Sequence, residues 1–154
     1  MDCPGFHDAY LCMEFAGESL AVIIHRAGRE LSEHQATCIL YQMLRGLCCL
    51  HTARILHRHL KPDNVLLAAS GYVKLANLGL ACAVGAEDEQ GACITEFGVA
   101  MHYRAPEFVL LPKQYGFPID IWSVGCILGE MITEDVLFQG RNSSDHIKKI
   151  IAII

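Results

Sequence analysis

His57-Arg58-His59-Leu60-Lys61-Pro62-Asp63-Asn64 decides how this chain is read, because it crowds two imidazoles, two cations, a carboxylate and an amide into one turn-rich octet. Short apolar pieces surround it: Ile55-Leu56 before, then Val65-Leu66-Leu67 and Val73-Lys74-Leu75, broken by Pro62-Asp63-Asn64 and by Ser70-Gly71. Pieces of two or three apolar residues between turn formers predict small strands joined by turns, not a helix, over residues 54–80. Three further clusters follow in order: Lys74-Leu75-Ala76-Asn77-Leu78-Gly79, Tyr103-Arg104-Ala105-Pro106-Glu107 and Asp120-Ile121-Trp122-Ser123-Val124-Gly125.

On the amino-terminal side, Ser32-Glu33-His34-Gln35 is a capping-box pattern, and Cys38, Ile39, Met43, Leu44, Leu47 and Leu50 keep a helical period beyond it. A long half-buried helix to about His51 is predicted. Residues 8–15 read as a short strand that Gly17 breaks, and Leu20 to Arg26 as a short helix. On the carboxy-terminal side, residues 83–99 are Gly-rich and acidic, with Glu87, Asp88 and Glu89 in a row, and read as a solvated loop. From Asp120 to Ile132 apolar residues fall on every face, which predicts a fully buried central helix. Ser144 to Ile154 opens an amphipathic helix that stops on Ile-Ile-Ala-Ile-Ile, an apolar end that suggests a missing remainder.

A chain of 154 residues and 17.0 kDa has the length of one ordinary domain. Its 53% hydrophobic and 19% charged residues place it outside the disordered range. A net charge of −5 argues against nucleic acid as a partner, which wants a Lys/Arg excess. No apolar run nears the roughly 18–20 residues of a membrane span, and Met1-Asp2-Cys3-Pro4 does not begin a signal peptide. An intracellular setting, cytoplasmic or nuclear, is expected. Eight cysteines share no C-x-x-C and no repeating interval, so reduced thiols are expected, with Cys38, Cys48, Cys49 and Cys126 buried in helices.

Together and in this order, the four clusters resemble the carboxy-terminal lobe of a eukaryotic Ser/Thr protein kinase. Tyr103-Arg104-Ala105-Pro106-Glu107, Gly125-Cys-Ile-Leu-Gly-Glu-Met131 and Leu137-Phe138-Gln-Gly140 look most like the branch that holds the cyclin-dependent and MAP kinases. The resemblance covers nearly the whole chain. It implies an α+β fold, the mainly α-helical carboxy-terminal lobe of the kinase fold with the amino-terminal lobe largely absent. Residues 1–154 would form a partial kinase domain, from the hinge strand to the start of the helix after the central one.

The family transfers phosphate from ATP to Ser or Thr with Mg²⁺, and the resemblance assigns roles residue by residue. Lys61 matches the catalytic-loop lysine and Asn64 the metal-binding asparagine. Glu14 and Ala16 would offer backbone groups to adenine, Met13 would be the gatekeeper, and Leu66 would lie beneath the ring. Arg58 and Thr95 match a pair in which a loop phosphothreonine docks on the catalytic-loop arginine. His57 would pack into the core, not bind a metal with His59. Asp120 would tie down the backbone of the catalytic loop, while Trp122 and Gly125 pack the central helix.

The departures sit at the chemistry. His59 stands where the family has its catalytic Asp; beside Lys61 an imidazolium there would orient a substrate hydroxyl poorly. Asn77 stands where the family has its metal-binding Asp, a neutral ligand for a charged one, and Leu78 replaces a Phe. The Gly-rich loop and strand lysine have no counterpart, and Glu107 would lack its distant arginine, leaving a buried unpaired carboxylate. Three readings follow: a kinase-like binding or regulatory module without phosphotransfer, engaging a protein partner or regulatory subunit; a degenerate product that does not fold alone; or a working ATP-dependent Ser/Thr kinase with its remaining parts elsewhere.

Overall fold

The computed structural model describes residue 10 and residues 12–26, 31–85, 101–111 and 115–154. Helices dominate them. A two-residue strand β1 (Glu18–Ser19) leads into α1 (Leu20–Ile24), whose free amide at Val22 is met by the Ser19 hydroxyl. The long helix α2 (Glu33–Thr52) starts where the capping box predicts, with Gln35 N donating to Ser32 Oγ at 3.2 Å and Ser32 N donating to Gln35 Oε1 at 3.0 Å.

After α2 come β2 (Ile55–Leu56), a 3₁₀ turn at Pro62–Asn64, β3 (Val65–Leu67), β4 (Val73–Leu75), a second 3₁₀ turn at Leu78–Leu80, and β5 (Cys82–Ala83). β1, β3 and β4 form one antiparallel sheet, with Glu18 opposite Leu67 and Leu66 opposite both Ser19 and Lys74; β2 pairs with β5. Gln42 of α2 clips the hairpin from behind, donating to Gly71 O and accepting from Val73 N, each at 3.0 Å. Gly17 is required here: its φ is 108°, and a Cβ would lie 2.0 Å from Leu67 O.

Short α3 (Pro106–Leu110) precedes α4 (Pro118–Thr133), and Asn142 caps the terminal α5 (Ser143–Ile153). Leu20, Met43, Leu47, Val65 and Ile127, at most 1% exposed, join α1, α2, β3 and α4 in one core. Leu56, Ala105, Phe108, Tyr115 and Ile119 make a second cluster under α3.

Three expectations change. The strand read over 8–15 is instead irregular backbone at the described positions, and the strand is Glu18–Ser19. An apolar run makes a strand only where an edge accepts it, and β3 takes 18–19, leaving Met13 and Phe15 79% and 91% exposed. α4 is not apolar-and-buried all round, since Ile121 is 48% and Ile132 70% exposed and nothing among the described residues covers that stripe. Of the four cysteines expected inside helices, only Cys126 is buried. Ala36, Ile39, Met43 and Leu47 claim the core face of α2 and turn Cys38, Cys48 and Cys49 outward. Cys82, moreover, is held in a disulfide, contrary to the all-reduced reading; spacing along a chain does not show which thiols folding brings together.

Candidate active-site cleft

Asp120, 1% exposed near the start of α4, organises the loop that contains the deciding octet. Its Oδ1 accepts from Arg58 N and its Oδ2 from His57 N, both at 2.9 Å, and His51 Nε2 of α2 lies 2.9 Å from the same Oδ2. These bonds hold the loop through its backbone, so the fold fixes its course whatever side chains it carries. They also hold Arg58 in the left-handed region, at φ 61°.

His57 is fully buried as expected and not a metal ligand: its Nε2 donates to Ala76 O at 3.0 Å and its Nδ1 accepts from His59 N at 3.3 Å. Burial lowers its pKa below the ordinary histidine value, against the pull of Asp120. Arg58 Nε donates to Leu80 O at 2.7 Å and Nη1 to the Tyr115 hydroxyl at 3.2 Å. Thr95, its expected partner once phosphorylated, lies outside the described residues.

His59 points its chemistry differently from the expectation. Burial first, then the charges of Lys61 and of His57, hold its pKa below the usual value, with Asp63 opposing. Burial and the Lys61 charge both disfavour the protonated ring, so the imidazolium expected beside Lys61 is not the form favoured at neutral pH. Its Nδ1 is buried without a hydrogen-bond partner among the described residues. Lys61 Nζ lies 3.1 Å from Asp63 Oδ2, so its charge is shared with a neighbour two residues on.

Asn64, 6% exposed, donates from Nδ2 to His59 O at 2.6 Å and accepts at Oδ1 from Asn77 Nδ2 at 3.4 Å. Asn77 sits at φ 63° and opens the 3₁₀ turn Leu78–Leu80; Leu78 is 49% exposed, a poor plug. Magnesium wants several hard oxygens, carboxylates above all. Here the two side chains at the family's ligand positions are both amides, and the Asn64 oxygen already accepts an N–H. No group of three or more His, Cys, Asp or Glu among the described residues is placed to hold a metal. The residues do not fit Mg²⁺.

Met13, Glu14 and Ala16 lie on irregular backbone ahead of β1, and Leu66 lies on β3. Leu66 alternates with Val65 and Leu67, which belong to the core side, so it faces away from the core. Glu14 Oε1 accepts from Lys74 Nζ at 2.6 Å. Glu107 is partly exposed instead of buried and borders an open recess with Phe117, Pro118, Ile121 and Trp122, which relieves the cost expected of an unpaired carboxylate.

Two features had no sequence signal. Glu130, 2% exposed on α4, accepts from the Tyr103 hydroxyl at 2.6 Å and lies 3.1 Å from His25 Nε2; burial and the Glu130 carboxylate push the Tyr103 pKa far up. A groove of about 600 Å³ also runs between α1, α2 and the β3–β4 turn, lined by Phe15, Ile39, Gln42 and Leu67 among others.

The anchored loop, the buried acidic residue beneath it and the helical lobe around them define a kinase-type carboxy-terminal lobe. Residues 5–154 match the family described as "Protein kinase domain", and the chain belongs to that family. Within it, the chain falls in the Ser/Thr branch that holds the MAP and cyclin-dependent kinases. It is 42% identical over 149 residues to mitogen-activated protein kinase 6 of Oryza sativa subsp. japonica, covering 97% of this chain and 38% of that protein. Mitogen-activated protein kinase 4 of Arabidopsis thaliana gives the same identity and the same two shares. The yeast RNA Pol II CTD kinase CTDK-1 complex contains a chain that superposes with a TM-score of 0.82 at 30% identity, over 90% of this chain and 44% of that one. The chain thus spans about two-fifths of the length of the curated relatives it matches. None of its helices, over the described residues, is long and apolar enough to cross a membrane.

Proposed function

We propose that this lobe does not transfer phosphate and acts as a binding or regulatory module of kinase fold, residues 1–154 forming a partial kinase domain. The observation that carries the reading is the pairing of Asn77 Nδ2 with Asn64 Oδ1, two amides satisfying each other where the family holds its metal. His59 adds to it. An imidazole at the catalytic-Asp position lacks the two oxygens with which a carboxylate orients a hydroxyl and takes its proton. Lys61 and Arg58 would then be structural, held by Asp63 and by Leu80 and Tyr115. The exposed groove beside α2 and the complex in which the yeast neighbour occurs both favour a protein partner.

A second reading, a working Ser/Thr kinase, is favoured by one observation: the protonated form of His59 is disfavoured, which leaves its ring able to accept a proton. A single assay separates the two. The chain joined to a kinase amino-terminal lobe is incubated with labelled ATP, Mg²⁺ and a generic Ser/Thr substrate. No transfer above a heat-treated control is expected, and transfer that disappears in His59→Ala sinks the proposal. Activity gained by His59→Asp with Asn77→Asp locates the loss in these two side chains.

A further inference from the structure

The groove between α1, α2 and the β3–β4 turn is lined by several polar side chains, and all but two of them are committed. Gln35 serves the cap at Ser32, Gln42 holds the hairpin at Gly71 and Val73, and Arg26 meets both oxygens of Glu18. His34 and Cys38 remain. Among the described residues their side chains have no polar neighbour but each other, with the Cys38 sulfur 3.9 Å from both ring nitrogens of His34. We infer that His34 and Cys38 form a two-ligand site for a thiophilic cation of the Zn²⁺ class in the wall of this groove.

Residues four apart on a helix face the same side, the spacing at which paired helical ligands grip zinc. Both positions lie inside the first turns of α2, so the helix itself sets their separation, and both side chains are exposed. A tetrahedral zinc with sulfur at about 2.3 Å and nitrogen at about 2.0–2.1 Å holds those two atoms about 3.5 Å apart. The observed 3.9 Å is a few tenths of an ångström longer. Side-chain rotation closes that gap and aims one imidazole lone pair without moving the backbone. On binding, the thiol gives its proton to solvent and the imidazole binds through a lone pair, so two protein bonds replace two waters of the cation.

Thiolate and imidazole select zinc, cobalt or copper(I) and not magnesium, the reverse of what a cleft of hard oxygens selects. The other exposed thiols offer no such pair. Cys48 and Cys49 are adjacent on α2 and point apart around it, and the nearby His51 ring is already on Asp120. Two ligands make an open site, below the three or more that a closed one needs. The remaining positions of the metal are left to water or to a donor brought by the occupant of the groove. The site stands whether or not the lobe transfers phosphate.

The test is titration of the full chain with Co²⁺, read by thiolate-to-cobalt charge-transfer absorption, with Zn²⁺ as the displacing ion. The band should appear, Zn²⁺ should bleach it, and excess Mg²⁺ should leave it unchanged. His34→Ala and Cys38→Ser should each weaken binding by at least about tenfold, the lower end of the cost carried even by an outer-sphere partner of a metal. Cys48→Ser should leave it unchanged. Site-resolved iodoacetamide labelling of the unmutated chain gives a second readout, because Zn²⁺ should slow the alkylation of Cys38 while Cys48 and Cys49 react as before. Absence of the band, a band that either His34→Ala or Cys38→Ser leaves intact, or protection of Cys48 and Cys49 in place of Cys38 overturns the inference.

Discussion

The underside and the upper face of one short loop have fared differently. Beneath it, Asp120 grips the amides of His57 and Arg58, His51 braces the carboxylate, and His57 locks onto Ala76 O; every one of these contacts is intact. Above it, the four positions that the resemblance gives to chemistry are occupied by His59, Lys61, Asn64 and Asn77, two of which depart from the family. The difference shows that the two faces answer to separate constraints. A side chain that satisfies buried backbone amides is needed for folding, because each orphaned amide costs free energy. A side chain that faces a cleft is needed only for what the cleft does, and its replacement leaves the fold standing.

Substitutions on the two faces test this separation most strongly. Asp120→Ala leaves two buried N–H groups unpaired at once and should cost about 3–5 kcal/mol, a large part of a domain's stability. His59→Ala removes a ring whose Nδ1 has no partner among the described residues and should change stability by less than about 1 kcal/mol. Urea unfolding followed by circular dichroism gives both values; equal losses would erase the distinction between the faces.

Acid should act on the underside too, more gently. The pKa of His57 is lowered in the folded state by burial, so below about 6.5 the unfolded chain takes up a proton that the folded one resists. Stability is then fully present above pH 6.5 and declines as pH falls from there toward the lowered folded value, below which it levels off. Melting temperatures at pH 7.5 and 5.5 should differ in that direction, and a midpoint that rises on acidification contradicts the account of His57. The smallest effect is expected far from either face. Arg26 Nη2 meets both Glu18 oxygens, at 2.7 and 2.8 Å, yet both side chains are well exposed, so Glu18→Gln should cost no more than about 1 kcal/mol and less in high salt.

Much of the fold was legible because local signals agreed with it. The capping box at Ser32 and Gln35 starts α2 where it is read, and the alternation of apolar pairs and turn formers over 54–80 yields β2, β3 and β4. The role of Asp120 was legible through its motif. Legibility failed where an outcome depended on which surface meets which. The 8–15 stretch has the apolar run of a strand yet pairs with no edge at its described positions, and Cys38 and Leu44 keep a helical period yet belong to the outer face. At the site, residue types were readable and protonation was not. Lys61 sits two positions from His59 in sequence and lowers its pKa, but the larger cause is burial, which no motif prints.

By itself the sequence determined the family's order of motifs, the helix starts and the absence of carboxylates at positions 59 and 77, because these are written in residue identity and short spacing. Only the tertiary structure decided that Asn64 and Asn77 turn their amides on each other, that Glu130 gathers Tyr103 and His25, and that a groove opens behind the hairpin. Those facts depend on distances between residues 13 to 105 positions apart in the chain, which local chemistry does not encode and packing of α1, α2 and α4 around one core does.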